Sequence, residues 1–127
     1  MADWILDSSA VLAFLRGEPG GEVAEAALPS ALISAVNLAE VVGRLVDNGS
    51  GEDDAARLAM RGGFRVVDFD RALGLRAGAL RLVTRHQGLS LGDRACLALA
   101  EREQLPVLTA DRAWASLDIG VDIRLIR

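Results

Sequence analysis

The sequence predicts a three-layer α/β/α fold built on a central parallel sheet of four to five strands, and three observations lead there. Short apolar runs of strand length, mostly β-branched or Leu, recur at 4–6, 31–33, 65–67, 107–109 and 123–126. Between them the apolar residues fall at helical spacing. Strands that alternate with helices make parallel sheets covered on both faces. The third observation is size. With 127 residues, 51% of them apolar and 25% charged, the chain has the length of one domain, 1–127, and the composition of a folded globular protein.

The elements follow in order. The run at 4–6 leads directly into Asp7, and Ser8 or Ser9 is placed to cap the helix that begins there. Gly-rich breaks at 17–21, 49–51 and 62–63 read as turns. After the run at 31–33, Ser34 is the expected N-cap of a helix with an apolar stripe of Leu38, Val42, Leu45 and Val46. Asn37, Glu40 and Arg44, at i, i+3 and i+7, form its polar face. Leu73, Ala77, Leu80 and Val83 make a second stripe. Ser90 and Asp93 have capping-box spacing, which puts Asp93 in a first helical turn where the dipole favours its charge. The run at 107–109 then leads to Asp111.

Composition excludes several function classes. All 14 basic residues are Arg, so a P-loop, which needs a lysine on the phosphates, is ruled out, and no Gly-x-Gly-x-x-Gly follows a strand. A single His makes a His-based triad or a zinc site implausible. One cysteine, Cys96, forms no internal disulfide and is expected to pack in a helix. The longest uncharged stretch, 26–39, is too short and too polar to span a bilayer. No signal peptide is apparent, and a cytoplasmic location is expected, with no membrane contact. The net charge of −4 and the scarcity of aromatics argue against nucleic-acid binding by bulk attraction or base stacking.

Four acids carry the chemistry. Asp7 and Asp111 each follow a strand, so both are delivered to the carboxyl edge of a parallel sheet, where ligands bind. Glu40 and Asp93 can join them from helices. Four carboxylates at one edge repel unless cations bridge them, and carboxylate oxygen is the ligand that Mg²⁺ and Mn²⁺ prefer. Two such ions would offset the net −4 and support in-line phosphodiester hydrolysis without a protein nucleophile. Arg16, Arg44, Arg94 and Arg112 lie near these acids in sequence and are candidate phosphate contacts. Receiver-type and haloacid-dehalogenase-type phosphotransfer domains also gather acids at strand ends. Both need a lysine, and the second needs Asp-x-Asp; the chain has neither.

The segments "LDSSAVL", "SAVNLAEV", "LSLGDRACLALA" and "VLTADRAWA" resemble PIN-domain ribonucleases, over roughly residues 4 to 126. The length resembles that of the VapC-type toxins of toxin–antitoxin pairs. The resemblance implies a Mg²⁺-dependent endoribonuclease in which Asp7 and Asp93 hold the metal and Glu40 and Asp111 complete the site. Ser8 or Thr109 would serve as a polar helper, and Asn37 as a partner of Glu40. It further implies a homodimer and a cognate antitoxin protein. Trp114 stands where many relatives have Phe, and Asn37 where Ser or Thr is also common. An RNA-processing nuclease that is not a toxin, and an inert interaction domain, are the alternative readings.

Overall fold

Side chains in a strand alternate between its two faces, and the apolar runs of this chain are apolar on both. In the computed structural model, which describes all 127 residues, five strands form: β1 (Trp4–Leu6), β2 (Ala31–Ser34), β3 (Arg65–Val67), β4 (Val107–Thr109) and β5 (Ile123–Leu125). They make one sheet in the order β3-β2-β1-β4-β5, with every neighbouring pair parallel. Leu6, Ile33 and Leu108 face the core under α1 (Ser8–Arg16), α2 (Gly21–Ala27), α3 (Ala35–Asp47) and α4 (Glu52–Ala59). Ile5, Leu32 and Val107 face the opposite core, under α5 (Arg71–Ala79), α6 (Arg81–Thr84) and α7 (Leu91–Glu103). The fold is therefore the expected three-layer α/β/α arrangement with five strands.

The chain order reverses at β1: β2 and β3 build outward on one side, β4 and β5 on the other. Such a reversal opens a crevice at the carboxyl ends of the central strands. Asp7 closes β1 and Asp111 stands two residues past β4, both on that edge.

Two helix starts follow the sequence expectation. Ser34 Oγ accepts the Val36 N–H at α3. Ser90 and Asp93 form a reciprocal capping box at α7, at 3.1 and 2.9 Å. The start of α1 differs. Asp7 is its N-cap residue, no side chain caps it, and Ser8 and Ser9 turn their hydroxyls to the Asp7 carboxylate. Ser8 and Ser9 lie inside the helix, past the position from which a side chain accepts the free N–H groups, and their hydroxyls donate to the buried carboxylate instead.

The stripes also shift. In α3 it is Asn37, Val41 and Leu45 that are buried, with Leu38 and Val42 on the flank and Val46 exposed. The helix is rotated to pack on both the sheet and α7, which draws Asn37 inward instead of leaving it on the polar face. In the second stripe Val83 is exposed and Thr84 is buried. The helix is interrupted at Leu80, and the Thr84 hydroxyl donates to the Leu80 carbonyl. No helix is long and apolar enough to cross a membrane.

Candidate active site

Asp7 is 3% exposed, so its charge requires donors. Oδ2 accepts from the hydroxyls of Ser9 and Thr109, both at 2.6 Å, while Oδ1, 3.2 Å from Ser8 Oγ, shares that hydroxyl's one proton with the nearer Glu40. The hydroxyls of Ser9 and Thr109 in turn accept the backbone N–H groups of Ala110 and Asp111. Each hydroxyl has one proton, and both protons go to Asp7. The 3.2 Å approach between Ser9 and Thr109 is therefore a contact rather than a hydrogen bond. The carboxylate thus ties the end of β1 to the end of β4.

Glu40, on α3, is half-buried. Its Oε1 accepts from Ser8 Oγ at 3.0 Å and from Asn37 Nδ2 at 2.9 Å. The second Asn37 Nδ2 proton goes to the Gly92 carbonyl at 3.1 Å, which latches α3 to the first turn of α7. Both donors of this fully buried amide are used, and its Oδ1 has no partner. Turning the amide over would set oxygen against two acceptors, so the orientation is determined. A β-carbon at Gly92 would overlap the Glu40 carboxylate and displace it from this position.

Asp93 completes the group from α7. Its Oδ2 accepts the Ser90 N–H. Burial holds its carboxyl above the usual range, and the charges of Asp7 and Glu40 raise it further, against the lowering effect of the Ser90 bonds. The buried Cys96 thiol is pushed up chiefly by burial and also by Asp7, Asp93 and Glu40, so it stays protonated and serves as packing. Three of the four expected acids therefore share one electrostatic site.

Asp111 is different. It is exposed, and its Oδ1 accepts the Ala113 N–H, capping the 3₁₀ turn Arg112–Ser116. It lies beside the site through Thr109, whose hydroxyl accepts the Asp111 N–H.

The basic residues divide in the same way. Arg16 and Arg44, both exposed, line a cleft of about 280 Å³ together with Ser8, Ser9 and Glu40. Arg127, absent from the sequence expectation, lines it too, and donates to the Pro19 carbonyl and to Glu18. Arg112 is exposed but outside this cleft. Arg94 does not meet the expectation of a phosphate contact. It is 8% exposed, and Nη1 donates to the Ala77 carbonyl, because its position on α7 faces α5 and not the sheet edge. Sequence reasoning also missed Ser9 as a direct partner of Asp7; its i+2 position after a strand-end acid was the available signal.

The donor set suits a hard divalent cation. Glu40 Oε2 and Asp93 Oδ1 have no hydrogen-bond partner, and Asp7 Oδ1 has only the shared Ser8 proton. No three acidic, His or Cys side chains stand close enough together to ligate one ion directly. Mg²⁺ does not require that, since it keeps several waters and takes one or two carboxylates.

Comparison with known proteins agrees with the fold. The PIN domain profile matches residues 4–120. No curated protein matches the sequence. Solved structures do. A toxin–antitoxin complex from Klebsiella pneumoniae is 21% identical with a TM-score of 0.74, covering 100% of this chain and 98% of that one. The DNA-bound VapBC of Salmonella typhimurium is 18% identical with a TM-score of 0.73 over 100% of both chains. The sarcin–ricin-loop-cleaving toxin VapC20 of Mycobacterium tuberculosis is 17% identical with a TM-score of 0.72, covering 94% and 98%.

Proposed function

The chain belongs to the PIN-domain family of nucleases, and from that premise we propose that it is a divalent-metal-dependent endoribonuclease acting as the toxin of a toxin–antitoxin pair. The observation that carries the reading is the charge-coupled trio of Asp7, Glu40 and Asp93 at the switch point of the sheet. Three carboxylates at one crevice have little use without a cation, and the chain has no lysine, His pair or exposed thiol to offer other chemistry.

Asp7 and Asp93 would hold Mg²⁺, or Mn²⁺ in its place, with Glu40 beside them and Asp111 at the margin. Once bound, the metal supplies Lewis-acid stabilisation of phosphoryl charge and a water of lowered pKa. The protein does the rest. Ser9 and Thr109 hold Asp7 from behind, so its Oδ1 faces the crevice. Asn37 and Ser8 fix Glu40 through one oxygen and leave the other open. Arg16 and Arg44, at the cleft beside Glu40, would take the substrate phosphates and offset the acidic surroundings.

The toxin role and the antitoxin partner rest on the likeness of the fold to chains from toxin–antitoxin complexes. A homodimer and a cytoplasmic site of action belong to the same reading. The test is direct. Purified protein is expected to cleave single-stranded RNA with Mg²⁺ or Mn²⁺ and to stop in EDTA, and its expression alone is expected to slow bacterial growth. Equal cleavage in EDTA would overturn the metal dependence. Normal growth despite active, soluble protein would leave an RNA-processing nuclease.

A further inference from the structure

Between Asp70 and Asp93 the chain carries four arginines and no acid, in a protein whose net charge is −4. Arg76 is bound bidentately by Glu101, which removes it from the free charge. Arg81 and Arg85 have no carboxylate within ion-pair distance, and both are exposed. They line one cleft of about 240 Å³ with Thr84, Gly88 and Leu89.

The place of this cleft matters. Leu89, which lines the cleft with the two arginines, immediately precedes Ser90, whose N–H binds the Asp93 carboxylate at 2.9 Å. Arg16 and Arg44 lie in the opposite layer, between α1 and α3. Each helical layer therefore carries one basic cleft, the first lined in part by Glu40 and the second adjoining in sequence the turn that holds Asp93. An acidic site that must receive a polyanion needs positive charge on both its flanks, and a cation at the acids serves only the phosphate that reacts.

We propose that Arg81 and Arg85 form a second phosphate-binding subsite, which holds the backbone of single-stranded RNA on the α5–α7 side of the acids. This rests on the ribonuclease reading and extends it: substrate crosses the acids from the Arg16/Arg44 cleft to the Arg81/Arg85 cleft. Recognition by exposed guanidinium groups is of phosphate, so the subsite contributes affinity and register and not base identity. The exposed Leu82 and Val83 beside it would suit a protein partner, and that is the competing outcome.

The experiment uses the full chain with Asp7→Asn to prevent turnover, a fluorescein-labelled single-stranded RNA of mixed sequence, and titrations over a range of salt. Arg81→Gln/Arg85→Gln is expected to weaken binding by about five- to tenfold at 0.1 M salt. It should also flatten the slope of log K against log salt by about 1.4, the release expected for two single-strand phosphate contacts. Arg61→Gln/Arg65→Gln, an equal change at two exposed arginines that are likewise free of ion pairs, is the control and should move neither as far. Unchanged affinity and slope in the Arg81/Arg85 variant would overturn the subsite, as would an equal loss in the control. So would unchanged RNA affinity with an altered oligomeric state, which would make the patch a protein interface. If wild type cleaves RNA while the variant binds normally, only the subsite falls. If wild type neither cleaves nor binds RNA, the ribonuclease reading falls and the subsite with it.

Discussion

Two neighbouring strands, β1 and β4, each deliver an aspartate to the same edge of the sheet, and the two carboxylates have opposite fates. Asp7 is buried, accepts from the Ser9 and Thr109 hydroxyls, shares the Ser8 proton with Glu40, and raises the Asp93 carboxyl by its charge. Asp111 is exposed and caps a 3₁₀ turn. The patterns "ILD" and "LTAD" look alike in sequence. What separates them is the spacing from the strand: Asp7 follows β1 directly, whereas Ala110 intervenes after β4 and leads the chain outward. An acid becomes part of a site when the surrounding donors hold it there, and one residue of extra chain is enough to lose them.

The largest expected effect tests this contrast on cleavage. Asp7→Asn should lower metal-dependent cleavage on the order of 100-fold or more, because a bound cation is worth several kcal/mol to the reaction. Asp111→Asn should lose less than about tenfold, and since Asn caps as well as Asp, any loss reports charge and not the turn. Equal losses would put Asp111 back among the acids that act.

The next effect is on metal-linked stability. Asp93 has a raised carboxyl, so the folded state disfavours its charge. Without metal, that group's penalty is absent below the unfolded carboxylate range near pH ~4 and grows as pH rises from there through the raised folded value. Asp93→Asn keeps an oxygen for the Ser90 N–H and removes the charge, so it should melt at or above wild type in EDTA at neutral pH. Wild type should gain of order 5–10 °C with Mg²⁺ at about 100 times its dissociation constant. The variant should lose most of that gain, and Asp111→Asn should keep it. Thermal melts in EDTA and in Mg²⁺ check all three; a full metal shift in Asp93→Asn would make Asp93 a structural cap only.

The smallest effect concerns the donors behind Asp7. Thr109→Val leaves a buried carboxylate short of one hydroxyl and the Asp111 N–H without its acceptor, at a cost of about 1–3 kcal/mol. Thr109→Ser keeps both bonds and should stay within a fraction of that in denaturant unfolding. If the two variants are equally stable, the hydroxyl does not hold Asp7 and the contrast between the strand ends needs another cause.

Much of the fold was legible because its signals are local. The five strand positions are read from runs of three or four residues, and the caps at Ser34 and Ser90 from neighbours two or three positions away. The site was legible only in part. The helical positions of Glu40 and Asp93 are readable from spacing, and so is the polar stripe that Asn37 shares with Glu40, but not that Asn37 is fully buried. Arg94 was taken for a substrate contact on the strength of being next to Asp93, and a helix turns about 100° per residue, which set it against α5. Arg81 and Arg85 stand nine and five residues before Ser90, but that they line one cleft with Leu89 depends on how the short helix and the 3₁₀ turn pack.

By itself, then, the sequence determined which segments are strands and helices, which faces of the strands are apolar, and that a carboxylate must sit at the end of the first one. Those properties depend on backbone geometry and on side-chain periods of two and 3.6 residues, and so act over a few positions. Only the tertiary structure decided which acids share a site. Asp7 and Thr109 meet across 102 positions of chain, and Asn37 and Gly92 across 55. Such meetings are set by strand order and by how closely two helices pack. Those come from the burial of both sheet faces at once, a condition that no short stretch of the chain contains.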